Sequence, residues 1–278
     1  MADRSKANGS AKALLLTVLG EYVLPGEGAL WTSTIVEALA LFEISERNAR
    51  QAVARLSDQG IVAAERHGRR VRWRLTDSGH KLLSVGAERI YGFGSDNSAW
   101  DSRWLVVFVS VPEELRAKRH QLRSQLEFAG FGFLGPGIAI SPHLARERVA
   151  NDILTDLELD DGALVLRAET GDLMSNAEVL RRAWDLDRIA DRYTDFTHQF
   201  VPRKPRTPAA RFVALTELVH AWRRFPFGDP EIPDSLVPRH WPGRRAKQLF
   251  DDRHAAWSAS ANRWFDDAEA AEPPAVNS

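Results

Sequence analysis

Two periodicities meet between Ser45 and Leu75, SERNARQAVARLSDQGIVAAERHGRRVRWRL, and together they leave few ways to fold that stretch. Ala49, Ala52, Val53 and Leu56 recur at i, i+3, i+4 and i+7, the spacing of one buried helix face, with Ser45 placed as an N-cap and Gly60 as a left-handed stop. Beyond Gly60 the period drops to two. Ile61 and Val62 open one strand and His67-Gly68-Arg69-Arg70 has turn composition; Val71, Trp73 and Leu75 then alternate with Arg70, Arg72 and Arg74 in the return strand. A helix followed directly by a two-stranded hairpin satisfies both patterns.

The faces that this packing leaves outside are basic. The outer side of the helix carries Arg47, Asn48, Arg50, Gln51, Ala54 and Arg55, and from Arg47 to Arg74 only Asp58 and Glu65 oppose the arginines. Arg can bond guanine bidentately, Asn and Gln can do the same to adenine, and a small Ala lets a helix approach base edges. Locality matters, because the 278-residue chain has a formal net charge of -1 and offers a polyanion no global attraction. A solvated basic face on a small α+β domain would account for the charge, but it would leave the helix stripe and the turn chemistry as coincidences.

Two helices precede this segment. Leu14, Leu15, Val18 and Tyr22 share one side of the first, capped by Ser10 and stopped by Pro25, Gly26 and Gly28. Ile35, Leu39 and Phe42 stripe the second, which begins near Thr32. Three helices and a two-stranded wing make the winged helix-turn-helix arrangement, whose third helix enters the major groove and whose wing meets phosphates or the minor groove. Thr76-Asp77-Ser78-Gly79 breaks the second wing strand, His80 to Ile90 reads as a closing helix, and GFGSDNSA (residues 92–99) reads as a linker.

Composition removes whole classes of chemistry. The absence of cysteine excludes disulfides, Cys-ligated zinc, Fe–S clusters and thiol catalysis. No run of ~18 apolar residues suggests a membrane span. MADRSKANGS lacks the apolar segment of a secretory signal, so a cytoplasmic protein is expected. G-x-S-x-G, H-E-x-x-H and Walker A patterns are missing and the histidines are scattered, so no catalytic residues, metal or cofactor are expected.

The middle of the chain reads as strand, helix, strand, strand, helix, strand. Trp104 to Val111 is a continuous apolar run suited to a strand buried on both faces, and Leu115, Leu122 and Leu126 stripe the helix after it. Phe131–Leu134 and Ile138–Ser141 flank the Gly135-Pro136-Gly137 turn; Val149, Ile153 and Leu157 mark a second helix, and Ala163–Leu166 a fourth strand. That order is the split βαβ of a ferredoxin-like domain, a fold that names no function. An enzyme that processes nucleic acid on this middle domain, with Asp101, Glu113 and Glu114 as its acids, is the alternative reading.

The last third is helical and aromatic. Leu186, Ile189, Tyr193, Phe196 and Phe200 form one stripe; Thr207 and Pro208 start the next helix, with Phe212, Leu215, Val219 and Trp222 inside. A Pro-rich loop at residues 222–243 leads to a final helix that starts near Pro242 and runs past Leu249, Phe250, Trp257 and Trp264. Trp184, Trp222, Trp241, Trp257 and Trp264 are first of all core residues. Clustered with arginines, however, His198, Trp222, Arg223, Arg224, Phe225, Arg239 and Trp241 suit an aromatic, anionic small molecule, since rings stack and phosphates pair with Arg.

LFEISERNARQAVARLSDQGIVAAERHGRRVRWRLTDSG, WLVVFVSVPEELRAKRHQLRSQLEFAGFGFLGPGIAISP and HAWRRFPFGDPEIPDSLVPRHWPGRRAKQLF resemble blocks of PaaX-type transcriptional repressors of phenylacetic acid catabolism, from about Ala13 to Trp257. The resemblance implies a homodimeric repressor that binds a double-stranded DNA operator and is released by an aryl-CoA thioester such as phenylacetyl-CoA. The expected organisation is α+β and multidomain. It comprises a winged helix-turn-helix at residues 10–91, a linker at 92–102, a ferredoxin-like βαββαβ domain at 103–175, an α-helical effector domain at 176–267 and a disordered tail at 268–278. Ser45, Arg47, Asn48, Arg50, Gln51, Arg55, Arg69, Arg70 and Arg72 are the expected DNA-binding residues.

Overall fold

The computed structural model describes residues 11–26, 28–95 and 100–271. Ser10, the expected first cap, and residues 96–99 of the expected linker lie outside them. The described residues form a mixed α+β fold with two antiparallel sheets. Its described parts divide into two compact units, one from Met1–Gly92, His198–Arg223 and Gln248–Ser278, the other from Phe93–Thr197 and Arg224–Lys247.

In the first unit, α1 occupies residues 11–18 and continues as a π-helical turn, Leu19–Val23. Then follow β1 (Ala29–Trp31), α2 (Thr32–Ala40), α3 (Glu46–Asp58), β2 (Val62–His67), β3 (Arg70–Leu75) and α4 (Asp77–Gly92). The sequence pattern predicts a two-stranded hairpin, but the sheet has three strands in the order β1-β3-β2, with Leu30 opposite Trp73. Three residues are too few to show a period, so β1 leaves no signal of its own. The β2–β3 turn is the two-residue loop Gly68-Arg69, and Gly68 takes φ 63, as the first position of a II′ turn requires.

More than one side of α1 is buried: Leu14, Leu15, Thr17, Val18, Leu19 and Val23 are all inside. Helices α2 and α3 cannot cover all of that surface. The rest is covered by α9 (Pro208–Trp222) and the later part of α10 (Pro242–Ala270). Phe212 lies 4.8 Å from Tyr22, 6.1 Å from Phe42 and 4.2 Å from Trp264 between ring centroids. Polar groups follow the same path. Tyr22 Oη and Thr216 Oγ1 are 3.1 Å apart, Thr17 Oγ1 and His220 Nδ1 2.9 Å, and Arg223 donates to the Ala13 carbonyl at 2.9 Å. In the π-turn, Glu21 accepts from Tyr91 Oη and faces His254 Nε2 at 2.8 Å. Burial and this carboxylate push the Tyr91 pKa well above its usual value.

The second unit holds β4 (Trp104–Val109), α5 (Arg116–Phe128), β5 (Gly132–Gly135), β6 (Ile138–Ser141), α6 (Glu147–Asp156) and β7 (Ala163–Ala168), followed by α7 (Asn176–Ala183) and most of α8 (Leu186–Phe200). Its sheet order is β5-β6-β4-β7 with antiparallel neighbours throughout. The apolar run in β4 is explained by cover on both faces. Leu105, Val107 and Val109 pack with Leu122, Leu126, Ala150 and Leu154, and Trp104 and Val106 pack with Val179 and Leu180. Of the expected α6 stripe, Ile153 and Leu157 pack into the core beside Ala150 and Leu154, while Val149 is 43% exposed. Helix α7 has no counterpart in the sequence reading, although the Ser175–Glu178 capping box announces it.

Residues 176–267, expected as one helical domain, are therefore divided between the two units. Of the expected disordered tail, residues 268–270 are helical as the end of α10, and residues 272–278 lie outside the described residues. Thr76–Gly79, read as a break, is the start of α4: Thr76 Oγ1 accepts from Gly79 N at 3.0 Å and so caps the helix. A Cβ on Gly79 would fall 2.0 Å from the Ile61 carbonyl oxygen, and that oxygen belongs to backbone that cannot swing aside. We expect Gly79→Ala to lower stability by about 1–3 kcal/mol, measured by urea unfolding under tryptophan fluorescence.

Candidate nucleic-acid interface

Helix α3 is held at both ends by backbone chemistry. Ser45 is extended (φ -62, ψ 150) and its hydroxyl accepts from Asn48 N at 3.4 Å, while Gly60 at φ 68 lets Ile61 N reach the Leu56 carbonyl at 2.9 Å. Ala49, Ala52, Val53 and Leu56 are buried, which fixes the rotation of the helix. The opposite side is open. Glu46, Arg47, Arg50, Gln51 and Ala54 line a shallow depression there, with Arg55 exposed further along and Asn48 half-buried. Arg50 meets Glu46 one turn earlier at 2.8 Å, and both side chains are more than half exposed, so a phosphate or base can displace the carboxylate at little cost.

The hairpin arginines do not act as one row. Arg69 is exposed at the turn and Arg70 is half-buried beside it. Arg74 pairs with Glu65 at 2.6 Å, and that hydrogen bond holds the Glu65 pKa below the usual carboxylate range. Arg72 faces inward. Its guanidinium lies 5.7 Å from the Trp31 ring centroid and reaches Glu269 at 3.4 Å. Glu269 Oε2 also accepts from Trp31 N at 3.0 Å and Thr34 Oγ1 at 2.8 Å. Sequence reasoning missed this carboxylate because 197 positions separate it from Arg72 and it falls in the stretch read as tail.

The seven residues expected at a small-molecule site are shared between the two units. Trp222 is fully buried in the first unit with Nε1 on the Ile90 carbonyl, and Arg223 is tied to Ala13 and Thr17 there; His198 is exposed. Phe225, Arg224, Arg239 and Trp241 belong to the second unit. Phe225 is buried against Tyr193 at 4.6 Å, Trp241 is half-buried beside Tyr193 at 6.3 Å, and Arg224 and Arg239 are exposed. Tyr193 donates to Asp229 at 2.9 Å; burial raises the pKa of this carboxyl, opposed by donation from Glu231 N at 2.8 Å and from Tyr193.

Among the described residues no group of His, Asp and Glu is arranged to hold a metal, and no helix is long and apolar enough to cross a membrane. The acids of the enzyme alternative are not gathered into a site. Asp101 is clasped by Arg103 at 2.7 Å, Glu113 pairs with Arg119 at 2.9 Å, and Glu114 is exposed.

Comparison with known proteins points to regulators of transcription. Residues 10–79 match a family described as PaaX-like protein, residues 97–180 the PaaX protein central Cas2-like domain, and residues 184–267 the PaaX-like protein C-terminal domain. A curated relative, the transcriptional repressor PaaX of Escherichia coli (strain K12), is 28% identical over 251 residues, covering 86% of this chain and 78% of the relative. The chain belongs to the PaaX family. In fold it is similar to the solved structure of uncharacterized protein Rv0674 from Mycobacterium tuberculosis, with TM-score 0.66, 21% identity, and coverage of 92% of this chain and 98% of that one.

Because the Ser45 hydroxyl supplies the cap that starts α3, Ser45→Ala should cost about 1 kcal/mol and speed amide exchange at Asn48. Native-state hydrogen exchange reads both.

Proposed function

We propose that this chain is a sequence-specific DNA-binding transcriptional repressor of a catabolic operon, with α1 to α3 and the three-stranded sheet acting as a winged helix-turn-helix. One observation carries the reading: a helix capped at Ser45 and buried along Ala49–Leu56 presents Arg47, Arg50, Gln51 and Ala54 on an open face. These side chains, with Asn48 and Arg55, are assigned to base edges and flanking phosphates, and Arg69 and Arg70 at the hairpin turn to phosphate. Arg72, first expected among the phosphate contacts, is assigned to internal support because Glu269 occupies it.

A homodimer would set two α3 helices in successive major grooves about 34–36 Å apart. The order β4, α5, β5, β6, α6, β7, with sheet order β5-β6-β4-β7, agrees with a ferredoxin-like middle domain. On that sheet Phe108, Leu164 and Leu166 are 40%, 54% and 41% exposed, an apolar surface suited to burial against a second copy. Membership of the PaaX family supports release by an aryl-CoA thioester such as phenylacetyl-CoA. Of the expected contacts, Arg224, Arg239 and Trp241 keep accessible surface for phosphates and a ring, whereas Trp222 and Arg223 are engaged inside the first unit. The ligand must favour the DNA-incompetent form, since equal affinity for both forms shifts nothing.

In electrophoretic shifts on the gene's own upstream DNA, Arg50→Ala should cost about 1–3 kcal/mol on the operator and much less on random DNA. Arg69→Ala should weaken both alike and reduce the salt slope by about one. Equal losses for Arg50→Ala on both DNAs would remove that residue from the base readers. Calorimetry addresses the effector separately: heat from phenylacetyl-CoA, none from free phenylacetate, and a coupling to DNA of about 1–3 kcal/mol are expected.

A further inference from the structure

The first turn of α2 lacks a cap of its own. Trp31 precedes it in extended conformation and makes no side-chain capping bond. Glu269, at the far end of α10, supplies the missing acceptor: one carboxylate oxygen takes Trp31 N and Thr34 Oγ1, and the other reaches Arg72 in β3. Thr32 adds a parallel stitch, donating to the Val71 carbonyl at 3.0 Å and accepting from Trp73 Nε1 at 2.9 Å. Within α10 the placement is electrostatically unfavourable, because a carboxylate in a last turn faces the negative end of its own dipole. The compensating partners all belong to α2 and the sheet. The Glu269 and Arg72 side chains are 18% and 26% exposed, so the pair is sheltered from the screening that weakens surface ion pairs. Phe265, one turn earlier and 5% exposed, stacks on Tyr22 at 5.3 Å and anchors this end of α10.

We propose that Glu269 is a positioning residue for DNA binding, which latches the β1–β3 sheet to the first turn of α2 and so fixes the hairpin against α3. The role rests on the DNA-binding reading above, and the sign of one measurement separates it from simple electrostatics. If Arg72 were only a masked cation, removing Glu269 would release it, tighten DNA binding and steepen the salt slope by about one. A latch predicts the reverse: the hairpin loosens, no phosphate contact is lost, and operator binding weakens with the salt slope unchanged.

The test uses the full chain with Glu269→Ala and Glu269→Gln, the latter keeping a carbonyl acceptor for Trp31 N and Thr34. Amide exchange across Trp31–Ala40 and Arg70–Leu75 should quicken in Glu269→Ala and much less in Glu269→Gln. Affinity for upstream DNA should fall about fivefold or more in Glu269→Ala, with substantial recovery in Glu269→Gln. Tighter binding, or wild-type binding with wild-type exchange, overturns the proposal. A wild-type protein that fails to shift its upstream DNA overturns the DNA reading and the positioning role with it, while the exchange data still decide whether the latch exists.

Discussion

Burial of α1 on more than one side is the constraint on which the first unit depends. A helix with Leu14, Leu15, Val18 and Leu19 inside cannot be satisfied by the two short helices that follow it, so α9 and α10 complete its surroundings. Taking Thr17, Glu21 and Tyr22 out of water is tolerable because each meets a partner: His220 and Arg223, then Tyr91 and His254, then Thr216. The π-turn at Leu19–Val23 places Glu21 and Tyr22 on consecutive positions, each bonded to a different helix. The three-helix head is thus one half of a larger hydrophobic body.

The arginines show how sequence charge becomes structural charge. Between Arg47 and Arg74 the sequence presents them as a single basic surface. The fold sorts them into kinds: α3 and the Gly68-Arg69 turn expose theirs, Arg74 is neutralised across strands by Glu65, and Arg72 is drawn inward. The Arg50–Glu46 pair is more than half exposed and so weakly held, whereas the Arg72–Glu269 contact is sheltered from screening.

What could be read from residues alone follows from the range of the interactions. Ser45, Gly60, Gly68, Thr207 and Pro208 act within a few positions of themselves, and each sits where its chemistry predicts. Periodic stripes likewise located α3, α8 and α9, and in α6 they located Ile153 and Leu157 but not Val149, which fits the period and faces water. Strand β1 was too short to show a pattern, and α7 carried its signal in a capping box rather than a stripe. The candidate DNA face was legible because it lies in one continuous segment. The division of the C-terminal third and the Glu269 contacts were not, since both arise from pairings about two hundred residues apart.

Those long separations bear on how the protein is made. Tyr22 meets Thr216 across 194 positions and Trp31 meets Glu269 across 238, so an emerging chain exposes the uncovered flank of α1 until most of the polypeptide has left the ribosome. Such non-local closure is slow and leaves apolar surface open to aggregation or chaperones meanwhile. Synthesis of the final helix therefore completes the cover of α1, and a chain cut short before α10 carries the basic helix without Trp264, Phe265 and Glu269 beside Phe212, Tyr22 and Trp31.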